Sequence, residues 1–290
     1  SNNPNAFTGA PDVYAYPESS EWQISNYFDR VLKGEPELDF LCKNATDYVF
    51  EQLEDKQHDP QKMTAALQMV LQSSHAEALM QAWERDYVTV PFGETSESID
   101  WYALPDRAMG AWTTGFFFGM ICRADTQRKN LNFLPYTRHF INHEVLGEFR
   151  LIYYHFLRTL GSEMSQIFYD RAAYALSKIP AEYAESYKAT FPLWQPIMDG
   201  SKDGLETVLS HCLYERKLLL SDRMRRDADI AIMGILSYAH DIGLEIPGAR
   251  YPHSTALVRG EYKVDLHTDL DFNFPPEPPK ERQSGIRMVG

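Results

Sequence analysis

Apolar residues recur three and four positions apart along most of this chain, which is the period of an α-helix that buries one face. The pattern is clearest in the run Leu38, Leu41, Ala45, Val49 and Leu53. Residues that favour helix starts precede such runs, and Gly or Pro follows them, which divides the pattern into roughly ten helices. No segment shows the sustained alternation that predicts a half-buried strand. We therefore predict an all-α fold.

One stretch of the pattern, from Ala111 to Arg123, is apolar on nearly every face. A helix of this kind is buried on all sides, and it is shorter than the roughly 20 residues that cross a bilayer. Gly115 and Gly119 lie about one turn apart on the same face, where the missing side chains allow another helix to approach closely. We predict that this stretch is the central helix of the core.

The helical pattern belongs to a single domain with irregular ends. Residues 1–18 hold three prolines and are predicted to form an extended N-terminal arm. Residues 19–260 carry the helical pattern and form the predicted domain. Residues 261–290 are predicted to be a Pro-rich acidic tail, because prolines, glycines and charges interrupt any periodicity there.

Local signals place the boundaries inside the domain. The third helical region is predicted to break near Ser73–Ser74, where two polar residues interrupt it. Residues 88–104 are predicted to be a loop, because they hold a proline, a glycine and several acids. The last long helix is predicted to begin at Asp227 or Asp229 and to be stopped by Gly243.

The composition is acidic and rich in aromatic residues. The formal net charge of −13 disfavours nucleic acid and anionic membranes, and it favours a basic protein partner. An aromatic content of 13% excludes a disordered chain. Cys42, Cys122 and Cys212 lie too far apart for a metal knuckle or a disulfide framework, so we expect a reducing, cytoplasmic location. The sequence shows no leader peptide and no membrane-spanning segment, and whether a leader was removed stays open.

The string His240-Asp241-Ile242-Gly243 is one candidate for catalysis. It resembles the signature of the HD phosphohydrolases, in which an adjacent His-Asp pair on a helix binds a divalent metal. His211 lies upstream at a suitable distance, but the aspartates downstream fall in a segment without helical pattern. The simpler interpretation is the polar end of a helix that Gly243 caps. A metal-dependent phosphohydrolase using His211, His240 and Asp241 remains the alternative function.

Other catalytic signals are weak or missing. His139 and His143 lie one turn apart with Glu144 next, a spacing that can hold zinc. Their order differs from H-E-x-x-H and no third ligand is evident, so a solvated helix end explains them as well. The chain has no nucleophile elbow, phosphate-binding loop or dinucleotide fingerprint. We therefore expect neither enzyme activity nor a cofactor.

Two acidic segments also carry aromatic residues, a combination that suits the docking of a basic protein. One lies in the predicted loop and the other in the predicted tail. The alternative is a solvated loop, together with a tail whose apolar residues pack back on the core. The candidate contact residues are Glu94, Glu97, Asp100, Trp101, Asp265, Asp269 and Asp271.

Three blocks, taken in their order and spacing, resemble the immunity protein 49 family of bacterial polymorphic toxin systems. The blocks are residues 111–131, 192–217 and 229–246. The first contains a tryptophan followed by Ile121-Cys122-Arg123, and the third ends in Gly243-Leu244-Glu245-Ile246. The resemblance covers roughly residues 105–260 and ends before the predicted tail, and the closing Tyr-Leu-Pro of the family is Tyr251-Pro252 in this chain.

The resemblance implies an all-α cytoplasmic immunity protein, which binds and neutralises a cognate toxin in competition between bacteria. It implies no catalytic residues and no cofactor, and it makes His240 and Asp241 the ordinary end of the last helix. The acidic charge favours a basic toxin, and for that reason alone we expect a nuclease. The seven contact residues named above are then the predicted toxin-binding residues, while the oligomeric state stays open.

Overall fold

The computed structural model describes most of the predicted helical domain. The described residues are Tyr27, Arg30, 38–54, 60–82, 87–92, 95–102, 108–134, 145–220, 222–244, 246 and 254–266. The predicted N-terminal arm lies outside them. The same is true of Glu94, His139, His143, Glu144, Asp269 and Asp271.

Within these ranges the chain forms eleven α-helices, one 3-10 turn and one β-hairpin. The helices are α1 (Leu38–Glu54), α2 (Pro60–Ala82), α3 (Ala108–Ile121), α4 (Asp125–Phe133), α5 (Gly147–Arg158), α6 (Ser165–Ser177), α7 (Ala181–Lys188), α8 (Trp194–Met198), α9 (Lys202–Leu219), α10 (Asp222–Asp241) and α11 (Thr255–Val258). The 3-10 turn is Phe191–Leu193, and the hairpin pairs β1 (Tyr87–Phe92) with β2 (Thr95–Tyr102). The fold class is all-α, as the periodicity predicts.

Helix α3 is the predicted central helix, and it packs between α2, α4 and α10. Trp112 is wholly buried on it. A Cβ on Gly115 would lie 3.0 Å from Ser74 Oγ of α2, and one on Gly119 would lie 2.8 Å from Arg128 Cγ of α4. The prediction that these glycines allow other helices to come close is therefore confirmed.

Helix α2 runs unbroken through Ser73 and Ser74, so the predicted break there is wrong. Ser73 Oγ donates a hydrogen bond to Met69 O, and Ser74 Oγ donates one to Val70 O, each at 2.6 Å. A hydroxyl bonded to the carbonyl one turn back is satisfied without leaving the helix. Every residue of the helix from position 70 to position 82 is buried, so these two hydroxyls have their hydrogen-bond partners inside the core.

The segment predicted to be a loop, residues 88–104, instead forms most of the β-hairpin. Tyr87 lies opposite Tyr102, and the register shifts between Pro91 and Phe92. The signal was a run of β-branched residues from position 88 to position 90, followed by Gly93, which is typical of a strand and its turn. The prediction of a loop rested on the proline and the acidic residues of this segment, because these residue types are rare in strands.

Helix α10 begins at Asp222, more than a turn before the predicted start at Asp227 or Asp229. Its first residues are charged, yet arginine and methionine are good helix formers, so the helix continues into solvent. The predicted end at Gly243 is confirmed. Gly243 has a φ of 89°. Leu244 N also donates to Ala239 O at 2.9 Å, which is the bonding of a glycine cap.

The packed part of the chain continues past the predicted boundary at residue 260. Val264 and Leu266 belong to the hydrophobic core. Val264 N donates to Cys122 O, in the turn between α3 and α4, at 3.3 Å. The tail predicted for residues 261–290 therefore begins no earlier than residue 267, because apolar residues of this segment pack back on the core.

An aromatic cluster joins α5, α6 and α8. Tyr169 of α6 stacks on Phe191 with ring centroids 5.0 Å apart, and it meets Phe156 of α5 edge to face at 5.6 Å. Trp194 Nε1 donates to Tyr153 Oη at 3.0 Å, which satisfies two buried polar groups. Helix α6 is thus anchored along one face, and its opposite face is left to solvent.

No helix in the described ranges combines the length and the apolarity that a membrane span requires. Cys42, Cys122 and Cys212 are free thiols in buried positions. Burial, as the largest cause, raises the pKa of each thiol to about 12, so all three are protonated at neutral pH.

Candidate functional site

The candidate catalytic pair lies at the C-terminal end of α10, where Arg123 binds Asp241. Arg123 Nη2 lies 2.8 Å from Asp241 Oδ1, and Arg123 Nε lies 3.2 Å from the same oxygen. His240 Nδ1 is 3.6 Å from that oxygen, which is beyond a good hydrogen bond. The aspartate is therefore the counter-ion of an arginine 118 positions away in the chain.

The same guanidinium also binds backbone carbonyls of α3 and α11. Arg123 Nη1 donates to Ile121 O at 2.8 Å and to Leu257 O at 3.1 Å, and Nη2 donates to Val258 O at 2.6 Å. The Arg123 side chain is only 15% exposed. We call Arg123, Asp241 and these three carbonyls the arginine clamp. The clamp ties the ends of α3, α10 and α11 together.

The backbone around the clamp is shaped to accommodate it. Arg123 has a φ of 55°, the left-handed conformation that reverses the chain between α3 and α4 and that non-glycine residues rarely adopt. Gly260 has a φ of 74°, and a Cβ there would lie 2.9 Å from Arg123 Cζ. Glycine is thus required at position 260 both for its backbone and for the space that the guanidinium fills.

The structure does not bring together the alternative metal ligands His211, His240 and Asp241. His211 is exposed on α9, and the Asp241 carboxylate is bound by Arg123. In the part of the chain that the structure describes, no group of three or more His, Cys, Asp or Glu side chains could hold a metal ion. The interpretation of His240-Asp241 as a helix end capped by Gly243 is confirmed.

Asp265, predicted to contact a partner, instead caps helix α4. Its Oδ2 accepts a hydrogen bond from Thr126 N at 2.9 Å, and its Oδ1 accepts one from Gln127 N at 3.0 Å. A carboxylate at this place satisfies free N–H groups and interacts favourably with the helix dipole. Gln68 Nε2 donates to the backbone oxygen of Asp265 at 3.1 Å. The role of Asp265 is therefore structural, and we remove it from the candidate contact residues.

The remaining candidate contact residues stay predictions. Glu97, Asp100 and Trp101 lie on strand β2, with Asp100 opposite Thr89 and Trp101 opposite Val88 in the hairpin register. The structure thus places these three on one strand. Glu94, Asp269 and Asp271 lie outside the described residues.

A buried group of polar side chains lies between α2, α3 and α4, and the sequence analysis did not identify it. Gln127 Nε2 lies 3.5 Å from both Ser74 Oγ and Gly115 O, and Asn130 Nδ2 lies 3.4 Å from His75 Nε2. We call Ser74, His75, Gln127 and Asn130 the polar seam. The available signal was the run of polar residues around His75 inside an otherwise apolar helix.

Burial lowers the pKa of His75 to about 3 from an ordinary value of 6.5. Below pH 6.5 the unfolded chain therefore binds a proton that the folded chain does not, so the free energy of unfolding decreases as the pH is lowered. We predict that, because of His75, the free energy of unfolding is about 2 kcal/mol lower at pH 5 than at pH 7, since each pKa unit corresponds to roughly 1.4 kcal/mol. Urea unfolding of wild type and His75→Asn across this range measures the effect.

The matched control for His75 is His211→Asn, since His211 is exposed. That variant is expected to keep the wild-type dependence of the free energy of unfolding on pH. His75→Asn is expected to lose the part of that dependence that comes from the uptake of about one proton on unfolding. The same pH dependence in wild type and His75→Asn would show that His75 is not the buried neutral histidine described above.

The outward face of α9 combines apolar and aromatic side chains with polar ones. The helix buries Leu205, Leu209 and Cys212. On the opposite side, three or four positions apart, lie the residues that we call the α9 face: Asp203, Glu206, Thr207, Ser210, Tyr214 and Leu218. Tyr214 is 60% exposed and Leu218 is 59% exposed. Two large exposed side chains therefore lie one turn apart on this side of α9.

Carboxylates surround the N-terminal end of the α9 face. Asp203 and Glu206 line an open depression together with Thr207 and Ser210. Asp203 and Glu206 thus lie at this end of α9 next to the exposed Lys202, and the exposed Tyr214 lies further along the helix toward its C-terminal end.

The chain matches no protein-family model, no curated protein and no solved structure at a significant level.

Proposed function

We propose that this chain is an immunity protein, which neutralises a cognate bacterial toxin by binding it and covering its active surface. The resemblance of residues 105–260 to the immunity protein 49 family supports the proposal, as does the net charge of −13. The observation that carries it is the α9 face. Exposed Tyr214 and Leu218 lie on one helix with the carboxylates of Asp203 and Glu206, which is the composition of an interface centre with a charged rim.

The α9 face lies on a rigid support. Ser201 Oγ accepts a hydrogen bond from Gly204 N and caps the helix, and Arg216 Nη2 lies 2.6 Å from Asp229 Oδ2 of α10. A helix held at both ends loses little conformational entropy when a partner binds. Neutralisation by such a surface needs no bond to be made or broken, because the toxin is inactive while its active surface is covered.

The phosphohydrolase alternative draws no support from the geometry. Asp241 belongs to the arginine clamp, and His211 points away from the core on another helix. The proposal therefore assigns His240 and Asp241 to the structure of the chain rather than to chemistry.

Co-expression with the product of the adjacent gene tests the proposal. We expect the two proteins to co-purify and to remain together through size-exclusion chromatography at micromolar concentration. If the neighbouring protein is toxic alone and both proteins are folded, but no complex forms, the immunity function is contradicted. The experiment needs no assumption about which residues make the contact.

The contact surface is tested by reversing charge on α9. The double variant Asp203→Lys/Glu206→Lys is expected to slow association with a basic toxin about 10-fold at low salt, because electrostatic steering is lost. The difference from wild type should shrink as ionic strength rises. Surface plasmon resonance across a salt series measures both quantities.

The matched control for this variant is Glu54→Lys/Glu261→Lys, which changes the net charge equally at two exposed positions outside α9. It is expected to keep an association rate close to that of wild type. Equal slowing by both double variants would mean that only the overall charge matters and that the α9 face is not the contact surface.

A further inference from the structure

The segment that follows α11 crosses the core without forming a helix or a strand. It runs from Gly260 to Leu266, and we call it the strap. Lys263 is exposed on it, whereas Val264 and Leu266 are buried. A segment outside helices and strands has no regular hydrogen-bond pattern of its own, so the position of the strap depends on its contacts with the helices beneath it.

Polar contacts fasten the strap at its two ends. Shortly before it, the arginine clamp holds two carbonyls of α11. Near its far end, the Asp265 carboxylate accepts hydrogen bonds from Thr126 N at 2.9 Å and Gln127 N at 3.0 Å. Among the described residues, one backbone hydrogen bond joins the strap to a part of the chain other than α11, from Val264 N to Cys122 O at 3.3 Å. That bond is longer than the usual length of about 2.9–3.0 Å, so the carboxylate is the stronger fastening.

Gly260 gives the strap a hinge. Its φ of 74° lies in the left-handed region, and it follows shortly after the carbonyls that the arginine clamp holds. Glycine changes its backbone angles at little steric cost, which is what a hinge requires. Because the clamp holds α11 independently of Asp265, the chain after Gly260 can swing away while α11 stays in place.

The Cys122 thiol lies beside the strap. Cys122 is wholly buried, and its backbone oxygen accepts the hydrogen bond from Val264. Burial is the largest cause that raises the pKa of this thiol to about 12, while Arg123 lowers the pKa and Asp265 raises it. The carboxylate of the strap is therefore close enough to act on the thiol. We expect the thiol to become accessible to a reagent when the strap leaves.

We propose that the strap opens about Gly260 as one unit, while the helices of the core stay folded. Opening breaks the hydrogen bonds of Asp265 and Val264, and it exposes two buried apolar side chains, those of Val264 and Leu266. Global unfolding exposes the whole core in addition, so the strap opens at a smaller free energy. The proposal is independent of toxin binding, because it concerns no residue of the α9 face.

Labelling of Cys122 by N-ethylmaleimide tests the proposal on the wild-type chain. Peptide mass spectrometry follows each cysteine separately, and each rate is divided by the rate for the urea-unfolded chain. This labelling ratio equals the population of the open form when closing is faster than labelling. We expect the ratio for Cys122 to exceed the globally unfolded fraction, known from urea unfolding, by about 10-fold or more. It should depend only weakly on low concentrations of urea, because opening exposes little surface.

Two variants separate opening of the strap from unfolding of the domain. Asp265→Ala is expected to raise the labelling ratio of Cys122 about 10-fold, because a side chain that caps a helix typically contributes such a factor. Phe156→Leu is the matched control, since it leaves a cavity in the aromatic cluster and raises the globally unfolded fraction. It should leave the labelling ratio of Cys122 unchanged, because the strap opens without disturbing that cluster.

Three results would overturn the proposal. They are a labelling ratio of Cys122 equal to the globally unfolded fraction, a ratio that Asp265→Ala leaves unchanged, and a ratio that Phe156→Leu raises as much as the globally unfolded fraction. The wild-type measurement and Phe156→Leu decide the question even if Asp265→Ala does not fold. None of these results bears on co-purification with a toxin, so failure of the strap and failure of the immunity function are distinguishable.

Discussion

Replacing Arg123 with methionine is expected to lower the free energy of unfolding by about 3 kcal/mol, the largest loss that we predict for a side chain outside the apolar core. Three well-formed hydrogen bonds to carbonyls and the pair with Asp241 disappear together. Hydrogen bonds from charged groups contribute about 1.5–3 kcal/mol each, but they do not add when they share one donor group. Asp241 is 43% exposed, so water replaces part of its lost partner.

Methionine keeps most of the arginine stem, so the loss reports the guanidinium rather than a cavity. Arg128→Met is the matched control, because Arg128 pairs with Asp125, whose side chain is 85% exposed. An exposed pair of this kind contributes about 0–1 kcal/mol. Urea unfolding of wild type and both variants measures the difference. If the two variants lose the same stability, the arginine clamp does not hold α3, α10 and α11 together.

Gly234→Ala is expected to destabilise the chain by about 2–3 kcal/mol, although alanine is the better helix former. Gly234 lies on α10 where this helix crosses α3. A Cβ there would lie 2.7 Å from Phe117 Cδ1, 2.9 Å from Phe117 Cβ and 3.1 Å from Phe117 O. A flexible side chain could move aside, but a backbone oxygen cannot, so the two helices have to separate.

Gly110→Ala is the matched control, since a Cβ on Gly110 would have no atom within 4 Å. Here the same substitution is expected to raise stability by up to about 1 kcal/mol, because helix propensity is the only term that changes. The thermal midpoints of the two variants should therefore move in opposite directions. A rise in the midpoint of Gly234→Ala would contradict the close crossing of α3 and α10.

Features that depend on a few neighbouring residues could be predicted from the sequence. The apolar run around Trp112 predicts a helix buried on all sides, and the glycine at position 243 predicts the end of α10. Two of the predictions that failed, at Ser73–Ser74 and at residues 88–104, involve competing local signals. Serine favours helix ends and also tolerates a helix interior when its hydroxyl bonds one turn back. Only the packing of α2 decides between these outcomes.

The site could be predicted less well, because its contacts join distant parts of the chain. Nothing near Arg123 in the sequence indicates that Asp241 is its counter-ion, and nothing near Asp265 indicates that it caps a helix starting at Asp125. The sequence analysis therefore counts Asp241 among the alternative metal ligands and Asp265 among the candidate contact residues. The α9 face was missed for a different reason, since Tyr214 and Leu218 follow the helical period of buried residues as well as that of exposed ones.

Growth rescue tests the central claim most directly. The adjacent gene is expressed in a sensitive strain together with this chain, in its wild-type form or with His240→Ala. His240 is 38% exposed and lies outside the arginine clamp, so this variant should stay folded. If the chain acts by binding, we expect wild type and His240→Ala to restore growth equally. No rescue by either form would contradict the immunity function, and rescue by wild type alone would indicate chemistry at the His240-Asp241 pair.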